Sequence, residues 1–490
     1  MTNKYTLTAL LAAALLAGCS MAPTYLRPAA PVSGQWPSGP AYGGEAATQA
    51  TKNGVAADIG WREFFADARL QKLIELALAN NRDLQVAMLN VEKTRAQYQI
   101  QRADLFPAID ATASSTRQRL PADLSSSGRA STSSKYSVGL GFTAYELDLF
   151  GRVQSLKNEA LEQYFASEAA RKSAQITLVS EVASQYLTLR ALDEQQKVVT
   201  DTLTAQQSSY ELTKKRFDVG TVTALDLSTA DSQVQTAKSN LVSLMQQRAQ
   251  AENALTLLVG QPLPADLPEG NAFDAQGLLA DLPAGLPSDL LERRPDIIQA
   301  EHQLKAANAD IGAARAAFFP SISLTGSFGT ASSQLSNLFK SGQGAWSFIP
   351  QINLPIFDWG KNTANLDVST TSKKIAVAQY EKSIQSAFRE VSDALTARAM
   401  VEQQIAAQEA LVKSETQRYQ LAELRYRNGV DSALSLLDAQ RSLYSAQQGL
   451  IQTRLARLTN QVTLYKALGG GWLERSAGTA QGPAAANGAS

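Results

Sequence analysis

One stretch of this chain is written twice. Arg216-Phe217-Asp218-Val219-Gly220, followed by Ala224-Leu225 and Leu227, returns as Arg425-Tyr426-Arg427-Asn428-Gly429, followed by Ala433-Leu434 and Leu436. At the same offset Phe150-Gly151 meets Trp359-Gly360, and Val259-Gly260 meets Leu468-Gly469. At a slightly longer offset Leu105-Phe106-Pro107 meets Phe318-Phe319-Pro320. Two halves share one plan. A unit this long argues for a pseudo-symmetric architecture rather than for one compact catalytic domain.

Apolar periodicity gives each half the same parts. Helical patterns cover 68–104, 152–217 and 222–258 in the first half, and 289–316, 361–427 and 430–467 in the second. The two longest would each extend about 100 Å, and the shorter ones about half that. A long helix can therefore lie beside two shorter ones stacked end to end, once per repeat. The last helix carries a heptad seam, Leu434, Leu437, Arg441, Tyr444, Gln448, Ile451, Leu455, Leu458, Val462 and Tyr465, with coiled-coil spacing. A second row, Leu436, Leu443 and Leu450, has a first-half counterpart in Leu227, Val234 and Leu241. The first-half seam is mostly polar: Ser228, Ser232, Gln235 and Ser239.

Between the helices the period changes to two. Ser321 to Phe328 alternates polar and apolar, as do Trp346 to Ile356 and, more weakly, Tyr136 to Thr143; residues 106–118 are only partly patterned. These runs have the length of membrane-spanning strands, with one apolar face and one wet face; the alternative is a pair of amphipathic hairpins covering a soluble core, which the export signal at the N-terminus disfavours. Four strands cannot close a barrel, and an open edge in lipid leaves backbone groups unsatisfied. The chain must therefore oligomerise, to about 8 strands from two copies or about 12 from three.

The N-terminus adds a compartment. Lys4 and the apolar run Leu7 to Leu16 form a signal peptide, too short to span a bilayer. It ends in Leu16-Ala17-Gly18-Cys19, a lipobox pattern, and Cys19 is the only cysteine. A lone cysteine forms no internal disulfide, so lipid attachment is the expected reason for it, the alternative being an ordinary secretory signal that holds a cysteine by chance. Ser20 in place of aspartate points to the outer membrane. The expected order is a signal peptide over 1–18, a lipidated extended tether over 19–60, a first repeat over 61–270, an equatorial connection over 271–288, a second repeat over 289–471 and a disordered tail over 472–490. The β-hairpins fall at about 106–150 and 319–357. Lys+Arg and Asp+Glu both number 45, which argues against a nucleic-acid partner.

Catalytic constellations are not found. The single histidine, His302, sits in a helical pattern beside Glu301, with no second metal ligand, nucleophile–base pair or phosphate loop. Neither an enzyme nor a metal site is expected. The informative residues lie at the turns. Gly220 and Gly429 end the long helices where a left-handed position is wanted. Thr223 and Asp226 have capping-box spacing, and Asp431 is placed to cap the last helix. Asp226 is open to a capping or a gating role. Asp438 and Arg441 can pair on the last helix. In a symmetric oligomer Asp438 would also form a ring that attracts cations, a natural constriction, or else lie on a solvated face.

Gly60-Trp61-Arg62, Ala103-Asp104-Leu105-Phe106-Pro107, Glu146-Leu147-Asp148-Leu149-Phe150-Gly151, Arg293-Arg294-Pro295-Asp296, Ala316-Ala317-Phe318-Phe319-Pro320, Leu436-Leu437-Asp438-Ala439-Gln440 and Tyr465-Lys466-Ala467-Leu468-Gly469 together resemble the TolC-like outer-membrane factors, in their lipoprotein branch from multidrug efflux systems. The resemblance implies a membrane α+β fold: a homotrimer with a β-barrel of about 12 strands, four per chain, continuous with a long periplasmic α-helical barrel. It implies an outer-membrane duct that carries drugs and other small toxic compounds. Its partners would be a periplasmic membrane-fusion adaptor and a proton-driven inner-membrane transporter of the resistance-nodulation-division class, with no cofactor beyond diacylglycerol and N-palmitate on Cys19. Arg216, Gly220, Arg425 and Gly429 match adaptor-docking tip turns. Leu434, Asp438 and Arg441 match the periplasmic gate, and Asp226 with Tyr426 matches a hydrogen-bonded lock. TolC has two aspartates one helical turn apart here; this chain keeps Asp438 and has Ser435 at the other place. Asp431 stands where TolC has a tip arginine. The alternatives are a duct for protein secretion and a non-pore, lipid-anchored coiled-coil scaffold.

Overall fold

The structure, a computed structural model, describes residues 20–42, 56–126, 128–279, 282, 285 and 287–476. The expected signal peptide and Cys19 lie outside these residues, as does the tail from 477. The chain folds as two units. One comprises residues up to Ala29, Asn90–Glu168 and Gln299–Glu381, and carries the strands; the other comprises Ala30–Leu89, Ala169–Ile298 and the residues from Lys382 on.

The strand-bearing unit holds one antiparallel sheet, β1 (Asp110–Leu120), β2 (Ser131–Leu147), β3 (Ser321–Ser332) and β4 (Gly344–Asn353), in the order β1-β2-β3-β4. Its pairing sorts the two faces. Leu140, Phe328 and Trp346 stand abreast, and so do Leu147, Ile322 and Ile352. The other face is a hydroxyl ladder, with Ser114 Oγ 2.7 Å from Ser137 Oγ and Ser327 Oγ 2.8 Å from Ser347 Oγ. The Phe142 ring lies over Gly326, where an added Cβ would meet it at 2.8 Å. Between Phe142 and Tyr145 the register shifts and Ala144 takes φ 53°, a bulge that bends β2. Beyond β4, Phe357 and Trp359 pack edge to face at 4.6 Å and remain exposed, as belts of aromatic side chains do at a lipid boundary.

Apart from the single turns Trp61–Phe64 and Leu290–Arg293, the α-helices among the described residues are α1 (Ala68–Asn80), α2 (Arg82–Ala103), α3 (Arg152–Asp218), α4 (Ala224–Val259), α5 (Pro295–Ala316), α6 (Lys361–Arg427) and α7 (Ala433–Ala467). The long helices α3 and α6 have 67 residues each. No helix among the described residues is long and apolar enough to cross a membrane. Two expected helices are interrupted. The run over 68–104 breaks at Asn81, whose side chain accepts from Leu84 N at 2.9 Å and donates to Leu258 O at 2.9 Å. The run over 289–316 breaks at Arg294, held extended (ψ 119°) because the ring of Pro295 disfavours a helical residue before it. The heptad seam of α7 buries Leu437, Ile451, Leu458, Val462 and Tyr465, but leaves Leu434 68% exposed.

The expected tether and tail are more ordered than their composition implied. In the strand-bearing unit residues 21–27 lie along α5. Asn308 donates to Pro23 O at 2.7 Å, and buried Glu301 accepts from Arg27 Nη2 at 2.7 Å, Arg27 Nε at 3.1 Å and Tyr25 Oη at 3.2 Å. In the helical unit Trp36 is buried, stacks on Phe388 at 5.1 Å and donates to Gly285 O. The expected disorder from 472 also fails at its start. Trp61 N donates to Leu473 O and Gln175 to Trp472 O, while Arg171 and Lys172 lie over the Trp472 ring.

Candidate functional site: the helix tips and the α6–α7 pair

Both long helices end in the same turn. Gly220 has φ 77° and Gly429 φ 72°, which L side chains adopt only with strain. Thr221 N donates to Arg216 O at 2.9 Å and Gly220 N to Phe217 O at 2.8 Å. The copy repeats this: Val430 N to Arg425 O at 2.9 Å and Gly429 N to Tyr426 O at 3.0 Å. Each is a Schellman motif, which satisfies the last carbonyls of a helix and turns the chain sharply.

The caps that follow differ. Before α4, Asp226 N donates to Thr223 Oγ1 at 3.2 Å, and Asp226 Oδ2 accepts from Thr223 N at 3.0 Å and Thr223 Oγ1 at 2.7 Å, a complete capping box. Those bonds from the Thr223 side chain and backbone hold the Asp226 carboxyl below the ordinary aspartate range. Before α7 the N-cap is Ser432, not the expected Asp431. The side chain of Asp431 instead accepts from Ser432 N at 2.9 Å, Ser435 Oγ at 3.1 Å and Arg425 Nε at 3.2 Å. The Ser432 backbone bond and then Arg425 lower its carboxyl too.

Tyr426 is the buried anchor of the tip, 2% exposed among Ala433, Leu436, Leu212, Tyr419 and Ala422. Its hydroxyl lies 2.8 Å from Thr213 Oγ1. The Arg216 guanidinium sits 4.4 Å over its ring and donates to Tyr426 O at 2.9 Å and Arg427 O at 3.3 Å. The expected Asp226–Tyr426 bond is therefore not the one formed. Asp226 is taken up by its own cap, and the phenol finds Thr213 inside the helix pair. One turn before Thr213, Ser209 Oγ accepts from Gln440 Nε2 at 3.1 Å. Ser209, Thr213 and Arg216 thus form one face of α3, spaced i, i+4, i+7, that grips α6 and α7. Sequence reasoning missed the first two. Their spacing was the available signal, though it is common on solvated helix faces.

Leu434, Asp438 and Arg441 share a face of α7 with the same spacing. The expected local pair forms, Arg441 Nη2 to Asp438 Oδ1 at 2.8 Å. A residue not foreseen joins it. Arg418 of α6 donates through Nη1 to Asp438 Oδ2 at 3.1 Å and through Nη2 to Asp438 O at 3.4 Å, while its Nε bonds Glu415 at 2.7 Å.

The described residues hold no cluster of three or more His, Cys, Asp or Glu side chains able to bind a metal ion. His302 Nδ1 lies 2.6 Å from Glu162 Oε2, between helices of the strand-bearing unit, with its ring tilted against Phe165.

Comparison with known proteins bears on what such an assembly does. A family model described as outer membrane efflux protein matches residues 73–261 and 286–470, one span per repeat. The chain is 54% identical over 474 residues to the antibiotic efflux pump outer membrane protein ArpC of Pseudomonas putida, covering 97% of each. It is equally similar, 54% over 474 residues and 97% of each chain, to the toluene efflux pump outer membrane protein TtgC of Pseudomonas putida. Among solved structures, the open state of the Neisseria gonorrhoeae MtrE outer membrane channel superposes with a TM-score of 0.84 at 42% identity, covering 94% of this chain and 100% of that one.

Proposed function

The chain belongs to the outer membrane efflux protein family and is the outer-membrane channel component of a multidrug efflux pump, and from that premise we propose how it is built and gated. Three copies join β4 of one chain to β1 of the next, giving a barrel of about 12 strands. The observation that carries this is the four-stranded sheet itself, with an apolar face, a hydroxyl face and two edges unpaired within the chain. Lipid is a place where such edges have to be closed.

In this reading the duct is passive, not enzymatic, and takes its substrate choice and its energy from a proton-driven inner-membrane transporter of the resistance-nodulation-division class. A periplasmic adaptor docks on the tip turns at Arg216, Gly220, Arg425 and Gly429. Leu434, Asp438 and Arg441 close the periplasmic end, and adaptor binding favours an untwisted, open arrangement of the α6–α7 pair. Diacylglycerol and N-palmitate on Cys19 anchor the chain to the outer membrane beside its barrel. The test is native mass spectrometry of detergent-purified protein, followed by planar-bilayer recording. A trimer whose conductance rises in Asp438→Ala and Arg441→Ala supports the reading. A monomer without conductance, or an unchanged conductance in both variants, overturns the assembly or the gate respectively.

A further inference from the structure

We propose that Arg418 is a positioning residue of the closed gate: its guanidinium holds Asp438 of α7 against α6 and cancels the charge that a ring of Asp438 carboxylates would present to cations. The inference rests on the gate reading given above for Leu434, Asp438 and Arg441.

The geometry divides the work between two arginines. Asp438 takes one guanidinium on each oxygen, Arg441 on Oδ1 at 2.8 Å and Arg418 on Oδ2 at 3.1 Å. Arg441 lies three residues along the same helix, so its bond fastens nothing to a neighbour. Arg418 comes from α6, so its bond crosses between helices. Nor is Arg418 free to swing. Glu415, one turn back on α6, accepts its Nε at 2.7 Å, which aims the two Nη groups at α7. One reaches the carboxylate and the other the Asp438 backbone carbonyl at 3.4 Å. Further from the tip the same helix pair is joined by Arg454 Nη2 to Glu409 at 2.9 Å and by Gln408 Nε2 to Ala446 O at 3.0 Å. At Asp438 itself the link from α6 is Arg418.

The charges decide what this cluster does. Glu415 and Asp438 are negative, and Arg418 and Arg441 are positive, so each chain contributes zero net charge at this level. A ring of such clusters differs from a ring of bare carboxylates, which repel one another and collect cations. Side chains this exposed add little to stability as isolated pairs. The effect of Arg418 therefore appears in gate position and cation affinity rather than in folding. Removing its charge leaves each chain with one excess negative charge beside the axis and releases the Asp438 carboxylate from α6.

The experiment uses the full-length trimer in planar bilayers, with spermidine on the periplasmic side as a trivalent probe. Arg418→Gln is expected to raise single-channel conductance. It should also make the channel sensitive to spermidine at concentrations about ten-fold below those affecting the parent. Arg418→Lys, which keeps the charge, returns the spermidine response to the parental range. The double variant Arg418→Gln/Asp438→Asn loses the new block, which places the site at Asp438. Thermal stability of the trimer is expected to be equal in all of them. Arg418→Gln with parental conductance and parental spermidine response overturns the proposal while Asp438→Asn still alters conductance. If Asp438→Asn and Arg441→Ala also leave conductance unchanged, the gate reading itself has failed.

Discussion

The two tips of this molecule have the same backbone and different allegiances. Position for position, Phe217 answers Tyr426, Arg216 answers Arg425, and the two glycines hold the same turn. Yet Tyr426 is 2% exposed and Phe217 is 39% exposed. Arg216 reaches across to the ring and carbonyl of Tyr426, whereas Arg425 stays with Asp431 on its own turn. A duplicated turn keeps what backbone sterics demand. Its side chains are released to specialise, one copy supplying the clamp and the other the residue clamped.

The sharpest way to break that comparison is Tyr426→Ala against Phe217→Ala. Loss of a buried aromatic is expected to cost about 3–5 kcal/mol, and its half-exposed counterpart under about 1 kcal/mol. Hydrogen exchange of the amides at the ends of α3 and α6 reads the difference, and equal protection loss in the two variants would mean the copies are not specialised. Next come Gly220→Ala and Gly429→Ala, each expected to cost about 1–2 kcal/mol because both glycines sit at positive φ. Here the copies should agree, so unequal losses in local exchange would show that the turns differ more than their dihedrals do. Third, Arg216→Ala should lose about 1 kcal/mol at the tip, from its contact with the Tyr426 ring and two carbonyl bonds. Arg425→Ala should lose at most a few tenths of a kcal/mol, as an exposed pair does. The smallest effect is a pH response. Asp226 and Asp431 are both held below the ordinary aspartate value, so the contribution of each cap is complete above pH 3.8 and fades as pH falls through the lower folded value. Exchange at the first turns of α4 and α7 should therefore be flat from neutral pH down to pH 3.8, once corrected for the intrinsic rate. A loss of protection near neutrality in either turn would contradict the cap geometry.

Much of this fold is legible in the sequence. Apolar spacing locates every long helix, because a face buried against a neighbour must repeat with the helix turn. It locates β3 and β4 as well, but hardly β1, whose Ala-, Ser- and Thr-rich run has Leu120 at its end as its one large apolar side chain. Breaks were harder. Nothing in the periodicity marks Asn81, because an asparagine caps a helix or rides on its surface with equal ease until Leu258 is seen beside it. Asp431 and Ser432 are adjacent and either can cap; only the backbone direction chooses between them. The pairings across helices were beyond reach. Thr213 with Tyr426, and Arg418 with Asp438, join elements whose relative rotation no linear spacing encodes. The family resemblance placed Asp226 beside Tyr426, and there the local cap competes successfully for the carboxylate.

The strap of residues 21–27 on α5 has a consequence in time as well as space. Glu301 is buried, which raises its carboxyl, but hydrogen bonds from Arg27 and Lys305 bring it below the ordinary range. One of those cations is four residues away along α5, and the other is 274 residues upstream. Residues 21–27 therefore have no seat until α5, the first long helix of the second repeat, has been made and folded. Closing so long a loop costs only slightly more entropy than closing one half its length, so delay rather than stability is what this arrangement imposes. Once made, Arg27 waits for a carboxylate 274 residues further along the chain, so the strap ties the seating of the first half to the arrival of the second.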